Sequence, residues 1–215
     1  MLWHTHADFD FFDPEGTSPE MSILIAGLAL FFAVHIIPTR SHIKSRLVER
    51  FGDSGYKIAF TVAALIGLAL IVIGFGRLQT GAGWNPHLWS PPVWARHLAF
   101  ALMWPAMVLL VASFVPSHIR TRMRHPLLAA IKIWALGHLL ANGDLASLLL
   151  FGSFLAYAIY DRISVKYREA APSRPAPAGP WNDVLVVAVG TGLYVFMLLI
   201  GHARLIGVPL LPGWV

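Results

Sequence analysis

Successive apolar runs of about membrane length constrain this chain more than any single residue does. Crossing roughly 30 Å of hydrocarbon takes about 20 apolar residues at about 1.5 Å per residue. Inside lipid the backbone must satisfy its own hydrogen bonds, which a helix does within one segment. Six runs fit, approximately Met21–Pro38, Lys57–Phe75, Trp94–Val115, Pro126–Ala141, Leu145–Tyr160 and Asp183–His202. The expected fold is all-α, a polytopic transmembrane helix bundle of about six spans. The fourth and fifth runs are short and joined only by Asn142-Gly143-Asp144, so they must be antiparallel neighbours. Five spans plus a half-length helix is the alternative.

Composition supports lipid as the solvent. Of 215 residues, 57% are hydrophobic and 13% charged, where soluble domains carry roughly 25% charged residues. The mean hydropathy is +0.65. Cysteine is absent, which excludes disulfides, thiolate nucleophiles and cysteine-held metals, so any metal or haem falls to His, Met or carboxylate. The sequence is basic, with a pI near 9.9. Its cations are spread over loops with no cationic tail, a pattern that suits membrane lipid and argues against nucleic acid as partner.

Counting Lys and Arg by loop gives an orientation. The loops after runs one, three and five hold Arg40, Lys44, Arg46, Arg50, Lys57, Arg120, Arg122, Arg124, Arg162, Lys166, Arg168 and Arg174. The other side has Arg77, Arg96 and Arg204, and Lys132 lies within run four. This asymmetry places both termini outside the cytoplasm. Residues 1–20 read as an acidic tail rather than a secretory signal, residues 21–168 as the transmembrane domain, 169–182 as a Pro/Ala-rich linker, and 183–215 as an appended helix and tail. Trp84, Trp89 and Trp94, between runs two and three, read as an interfacial aromatic belt.

Chemistry in such a chain falls to histidine. His35 lies near the end of run one, in FFAVHIIPTR, and His138 lies in run four, in KIWALGHLLANGD. His97 and His202 fall at the outer boundary. No single helix carries the spacing of a zinc site. Two imidazoles on separate apolar helices are what a bundle uses to clamp a haem. A lone intramembrane histidine also serves as a hydrogen-bonded packing residue. Taken along their helices, His35 comes out roughly 9 Å nearer the basic edge than His138, so spacing alone leaves ligation and packing both open.

Four stretches carry a resemblance that spacing does not. IAGLALFFAVHIIPTR around His35, GYKIAF at the start of run two, WARH in run three and RHPLLAAIKIWALGHLLANGDLASLLLFGSFLAYAIYDRISVKYR together resemble the NnrU family from Met21 to about Arg168. That family comprises bacterial membrane proteins named for an association with nitrite and nitric oxide reduction. It is similar to plant zeta-carotene isomerase, a membrane protein that holds haem b and isomerises a cis double bond. The resemblance implies a multi-pass protein of the bacterial inner membrane, linked to denitrification or to an isomerase-like reaction. It puts the two iron ligands on His35 and His138 and the HP dipeptide on His125-Pro126. Where the isomerase has a cysteine three residues before the second histidine, this chain has Ala135, which removes a ligand switch and weakens the case for isomerisation.

From that resemblance follows a haem b between runs one and four. Arg124 and Lys132 are the expected partners for its propionates, although Arg120, Arg122 and Arg124 equally suit anionic lipid. His125 and Asn142 complete the expected cofactor-binding set. Asn142 and Asp144 also suit caps of the short turn, or polar groups facing a channel for a hydrophobic or gaseous small molecule. Two readings from other classes remain open. Arg124-His125-Pro126 resembles the RHP motif of membrane methyltransferases that use S-adenosylmethionine, without the tyrosine and glycine expected after it. A non-enzymatic accessory or assembly protein of a respiratory complex needs only that the histidines pack.

Overall fold

The computed structural model describes residues 18–167 and 181–211, and these are helical with no strand beyond an isolated bridge between His87 and Asp144. The acidic tail and the Pro/Ala linker, with Arg168 and Arg174, lie outside the described residues apart from their last few positions. Five helices are long and apolar enough to cross a membrane, and a sixth apolar helix is shorter. The chain is an integral membrane protein by that measure, in the five-plus-one form.

Helix α1 spans Pro19–Ile36, with Pro19 in the first turn and Ser18 as N-cap, its Oγ accepting from the Met21 nitrogen at 3.4 Å. Pro38 cannot continue the helix, and a 3-10 turn over Ile37–Thr39 follows. Thr39 Oγ1 donates to the Ile36 carbonyl at 2.6 Å and lies 2.9 Å from Tyr160 Oη on a distant helix. That contact ties the end of α1 to the rest of the bundle.

Helix α2, Ser41–Gln79, corrects one expectation. The stretch from Ser41 to Lys57 is helical rather than a loop, broken only by Gly52 at φ 73° and ψ 163°. Ile43, Leu47 and Phe51 recur every four residues as one stripe, flanked on its two edges by Arg50 and Lys44, with Arg46 farther round. This is the pattern of a short helix lying at a membrane interface. From Ile58 to Phe75 the helix carries no charge, and Ile58, Val62, Leu65, Ile66, Val72 and Ile73 are exposed toward lipid.

Small residues set how closely α1 and α2 approach. A Cβ on Gly74 would sit 2.5 Å from the Leu24 nitrogen, so only glycine fits there.

Helix α3 covers Val93–Ala112 and the short α4 covers His118–Met123. Helix α5 covers Pro126–Ala141, α6 covers Leu145–Tyr167, and α7 covers Trp181–Phe196, followed by a π-helical segment Met197–Ile206. At 16 residues α5 is about 24 Å long, short of a full crossing. It still joins opposite ends of the bundle. Its start follows α4, beside the first turn of α7 where Asp183 accepts from the Ile119 nitrogen at 3.1 Å. Its end meets the loop between α2 and α3.

The packed order across the bundle is α2, α1, α6, α5, α3, α7, each helix against the next. One core, with Leu24, Leu28, Ile71, Ala135, Leu150 and Phe151, is shared by α1, α2, α5 and α6. A second joins Val108 and Ala112 of α3 to Val186 of α7, and Trp104 Nε1 donates to Thr191 Oγ1 at 3.0 Å across the same pair.

Candidate functional site: two anchored imidazoles in an aromatic core

His35 and His138 are held in the same way by different helices. Each Nδ1 lies against the carbonyl of the residue four positions earlier, His35 to Phe31 at 2.6 Å and His138 to Trp134 at 2.8 Å. A carbonyl can only accept, so Nδ1 carries the hydrogen in both rings and the Nε2 lone pair is left for another partner. The residue four positions earlier is aromatic in both cases. Phe31 stacks on His35 at 4.0 Å between centroids, and Trp134 lies tilted against His138 at 5.2 Å.

These rings belong to one continuous ladder. From His35 it passes through Phe31, then to Phe154 at 5.5 Å, to Trp134 at 5.6 Å, and on to His138. Helix α6 supplies the middle. Phe151 stacks on His138 at 4.5 Å, and Tyr157 Oη donates to the His35 carbonyl at 3.0 Å. Phe151 and Tyr157 are six residues apart, about 9 Å along the helix. The depth difference between the two histidines is therefore carried into the packed structure.

The other expected residues divide. Lys132 is partly buried on α5, but it sits six positions before His138, about 120° away around the helix, and so faces another side. Arg124 is exposed in the turn between α4 and α5, with φ 55°. His125 is the N-cap residue of α5, one helix length from His138. Asn142 caps the far end of α5: its backbone nitrogen and its Nδ2 both donate to the His138 carbonyl, at 2.9 and 2.8 Å. Of this set, Asn142 alone is joined to His138 directly.

Sequence reasoning placed His202 at the outer boundary and Asp144 as a cap, but not the surroundings that the structure gives them. His202 lies in the π-helical segment, and its Nδ1 bonds the Val208 carbonyl at 2.7 Å. A π-helix is rare and often marks a functional position, yet nothing in the local sequence announces it. Asp144 forms a lock behind Asn142. Asp144 Oδ1 accepts from Asn85 Nδ2 at 2.9 Å, from Gln79 Nε2 at 3.1 Å and from the Ser147 nitrogen at 2.9 Å. Gly143 donates no side chain to this lock, because a Cβ there would run into the Trp89 carbonyl. Burial opposes the charge of Asp144, but the hydrogen bonds from Ser147 and Asn85 outweigh it and hold the carboxyl below the usual range. Among the described residues, no three His, Asp or Glu side chains gather as a bare metal ion would require.

The fold and site together define a polytopic membrane helix bundle with paired imidazoles fixed in an aromatic core. The family model described as NnrU protein matches residues 23–210, most of the chain. The chain belongs to the NnrU family. No curated protein and no solved structure matches it.

Proposed function

We propose that this NnrU-family protein binds haem b within the membrane, with His35 and His138 as the iron ligands. The observation that carries this reading is the matched anchoring of the two imidazoles, each with Nδ1 spent on its own helix and Nε2 free. That is the tautomer a ligating histidine needs, and the backbone bond that orients it is the usual outer support of such a ligand. The donor chemistry fits iron. The packing is closed, however: a shared iron brings the two Nε2 atoms to roughly 4 Å apart, twice an imidazole–metal bond of about 2.0 Å, while Phe154 and Trp134 stand in the ladder between the rings. Bis-histidine ligation requires those two side chains to swing aside. Bound haem would supply redox or gas-binding chemistry, in keeping with a role in nitrite and nitric oxide metabolism. An isomerase-like reaction on a hydrophobic substrate has the weaker support, given Ala135.

The deciding measurement is an absorbance spectrum of detergent-purified protein expressed with ample haem. A Soret band with sharp bands on reduction, lost in His35→Ala and in His138→Ala, is the expected result. Loss in His138→Ala and His202→Ala but not in His35→Ala would move the second ligand to the π-helical segment after α7. The closed ladder favours a second reading, an accessory protein of a respiratory complex whose histidines only pack. A colourless preparation decides for that one.

A further inference from the structure

A cavity of about 210 Å³ opens at the basic end of the bundle, lined by Pro38, Lys44, Tyr56, Lys57, Phe60 and Thr61. It lies in the crook made by the Gly52 kink, between the interfacial first part of α2 and its apolar remainder. Tyr56 is 9% exposed. Its Oη is, among the described residues, the buried side-chain polar atom that has no hydrogen-bond partner. A buried hydroxyl left unpaired is destabilising, and an orphan on a residue that lines a cavity calls for a partner not among the protein's own groups.

The surrounding groups specify that ligand. Lys44 makes no ion pair among the described residues, and Lys57 is paired to Asp53, both of them well exposed. An ammonium has three donors and can hold Asp53 and a second anion together. Lys44, Lys57 and Tyr56 all line this one cavity, and phosphate oxygens accept from ammonium and phenol alike. Pro38 and Phe60 make the rest of the wall apolar. Ile43 and Phe51 of the adjoining segment are exposed at 38% and 59%, which seats this region at headgroup depth rather than in open water.

We propose that this cavity binds the phosphate of an anionic phospholipid, with Tyr56 Oη donating to it and Lys44 and Lys57 balancing its charge. Phe60 lies 5.2 Å from the His35 ring, so the lipid would back the wall behind that histidine. The site does not depend on haem.

The test uses the full chain in a zwitterionic detergent, with phosphatidylglycerol or phosphatidylcholine added at equal amounts, read by native mass spectrometry and by thermal unfolding. Phosphatidylglycerol is expected to be retained in preference and to raise the unfolding temperature. Tyr56→Phe should lower the preference roughly tenfold, the equivalent of about 1.4 kcal/mol, without lowering the unfolding temperature in detergent alone, since its hydroxyl has no partner to lose. Lys44→Gln, on an exposed surface, should lower the preference and its sensitivity to salt. An unchanged preference in both variants overturns the proposal, as does equal retention of the two lipids. If inorganic phosphate alone raises the unfolding temperature as much as phosphatidylglycerol, the site belongs to a soluble anion and the lipid assignment fails.

Discussion

Asn85 and Asp144, 59 positions apart in the chain, meet side chain to side chain at 2.9 Å, and Asn85 also accepts from the Ala146 nitrogen at 2.9 Å. The loop between α2 and α3 thereby caps α6 from outside, while Asp144 caps it from within. Leu88 and Trp89 donate to the Gly143 carbonyl in the same place. Two connections of the bundle, from α2 to α3 and from α5 to α6, close on one polar knot, directly beneath the turn that holds Asn142 against His138.

Replacing Asp144 by alanine should therefore destabilise the bundle by about 3 kcal/mol, since it removes a cap and orphans the Asn85 and Gln79 donors. The pH dependence has a definite sign. The carboxyl titrates lower in the folded protein than in the unfolded chain, so its contribution is complete above the unfolded value of about 3.9 and is lost as pH falls through the lower folded value. Unfolding midpoints should be flat in this respect from pH 7 to about 5 and fall below about 4. Asp144→Asn should flatten that acid limb. An acid limb unchanged in the variant would sink the assignment.

Helix α1 touches α2 through Gly74, where a Cβ would be 2.5 Å from the Leu24 backbone nitrogen. Gly76, two residues on, has nothing within 4 Å of the same virtual atom. Gly74→Ala should cost about 2 kcal/mol by forcing the helices apart. Gly76→Ala should be neutral or slightly stabilising, because alanine is the better helix former. Unfolding in mixed detergent micelles separates the pair, and equal effects would mean that the contact is looser than described.

Much of this architecture was readable in advance. Each long apolar run became a helix because lipid leaves a spanning backbone little alternative, and α5 starts and stops where Pro126 and Asn142 say it should. The segment from residue 41 to 51 was read as loop because its charges hid the four-residue recurrence of Ile43, Leu47 and Phe51. The aromatic four positions before each histidine stood in the sequence as FFAVH and WALGH. What it does there became visible only with Phe154 of α6 between them. The Asn85 to Asp144 bond had no local signal at all, since such partners are chosen by how distant loops pack.

Helix α7 is docked on α3 rather than resting on the linker before it. Val186 is fully buried against Val108 and Ala112, and a Cβ on Gly190 would come within 2.6 Å of the Val108 Cα. Gly190→Leu should therefore detach α7 locally. Protease sensitivity near residues 181–183 should rise severalfold, while the packing of α1 with α2 stays intact. Thr191→Val, which removes only the acceptor for Trp104 Nε1, should have an effect of about 1 kcal/mol or less. A Gly190→Leu variant as protected as the parent would show that α7 is held elsewhere.

Phe154 stands at the centre of the aromatic ladder, 5.0 Å from Phe32, 5.5 Å from Phe31 and 5.6 Å from Trp134. Truncation to alanine removes a packed ring from between α1 and α5, at a cost of about 3–4 kcal/mol. The same change opens the space that must clear before His35 and His138 share an iron. If haem binds as proposed, Phe154→Ala should take it up faster than the parent protein, although the empty variant is the less stable of the two. Phe154→Leu should keep most of the stability and give an intermediate rate. Stopped-flow absorbance at the Soret band, paired with unfolding of the haem-free protein, reads both quantities. Slower uptake in the alanine variant, in step with its lost stability, would mean that the ladder supports the ligands and does not gate them.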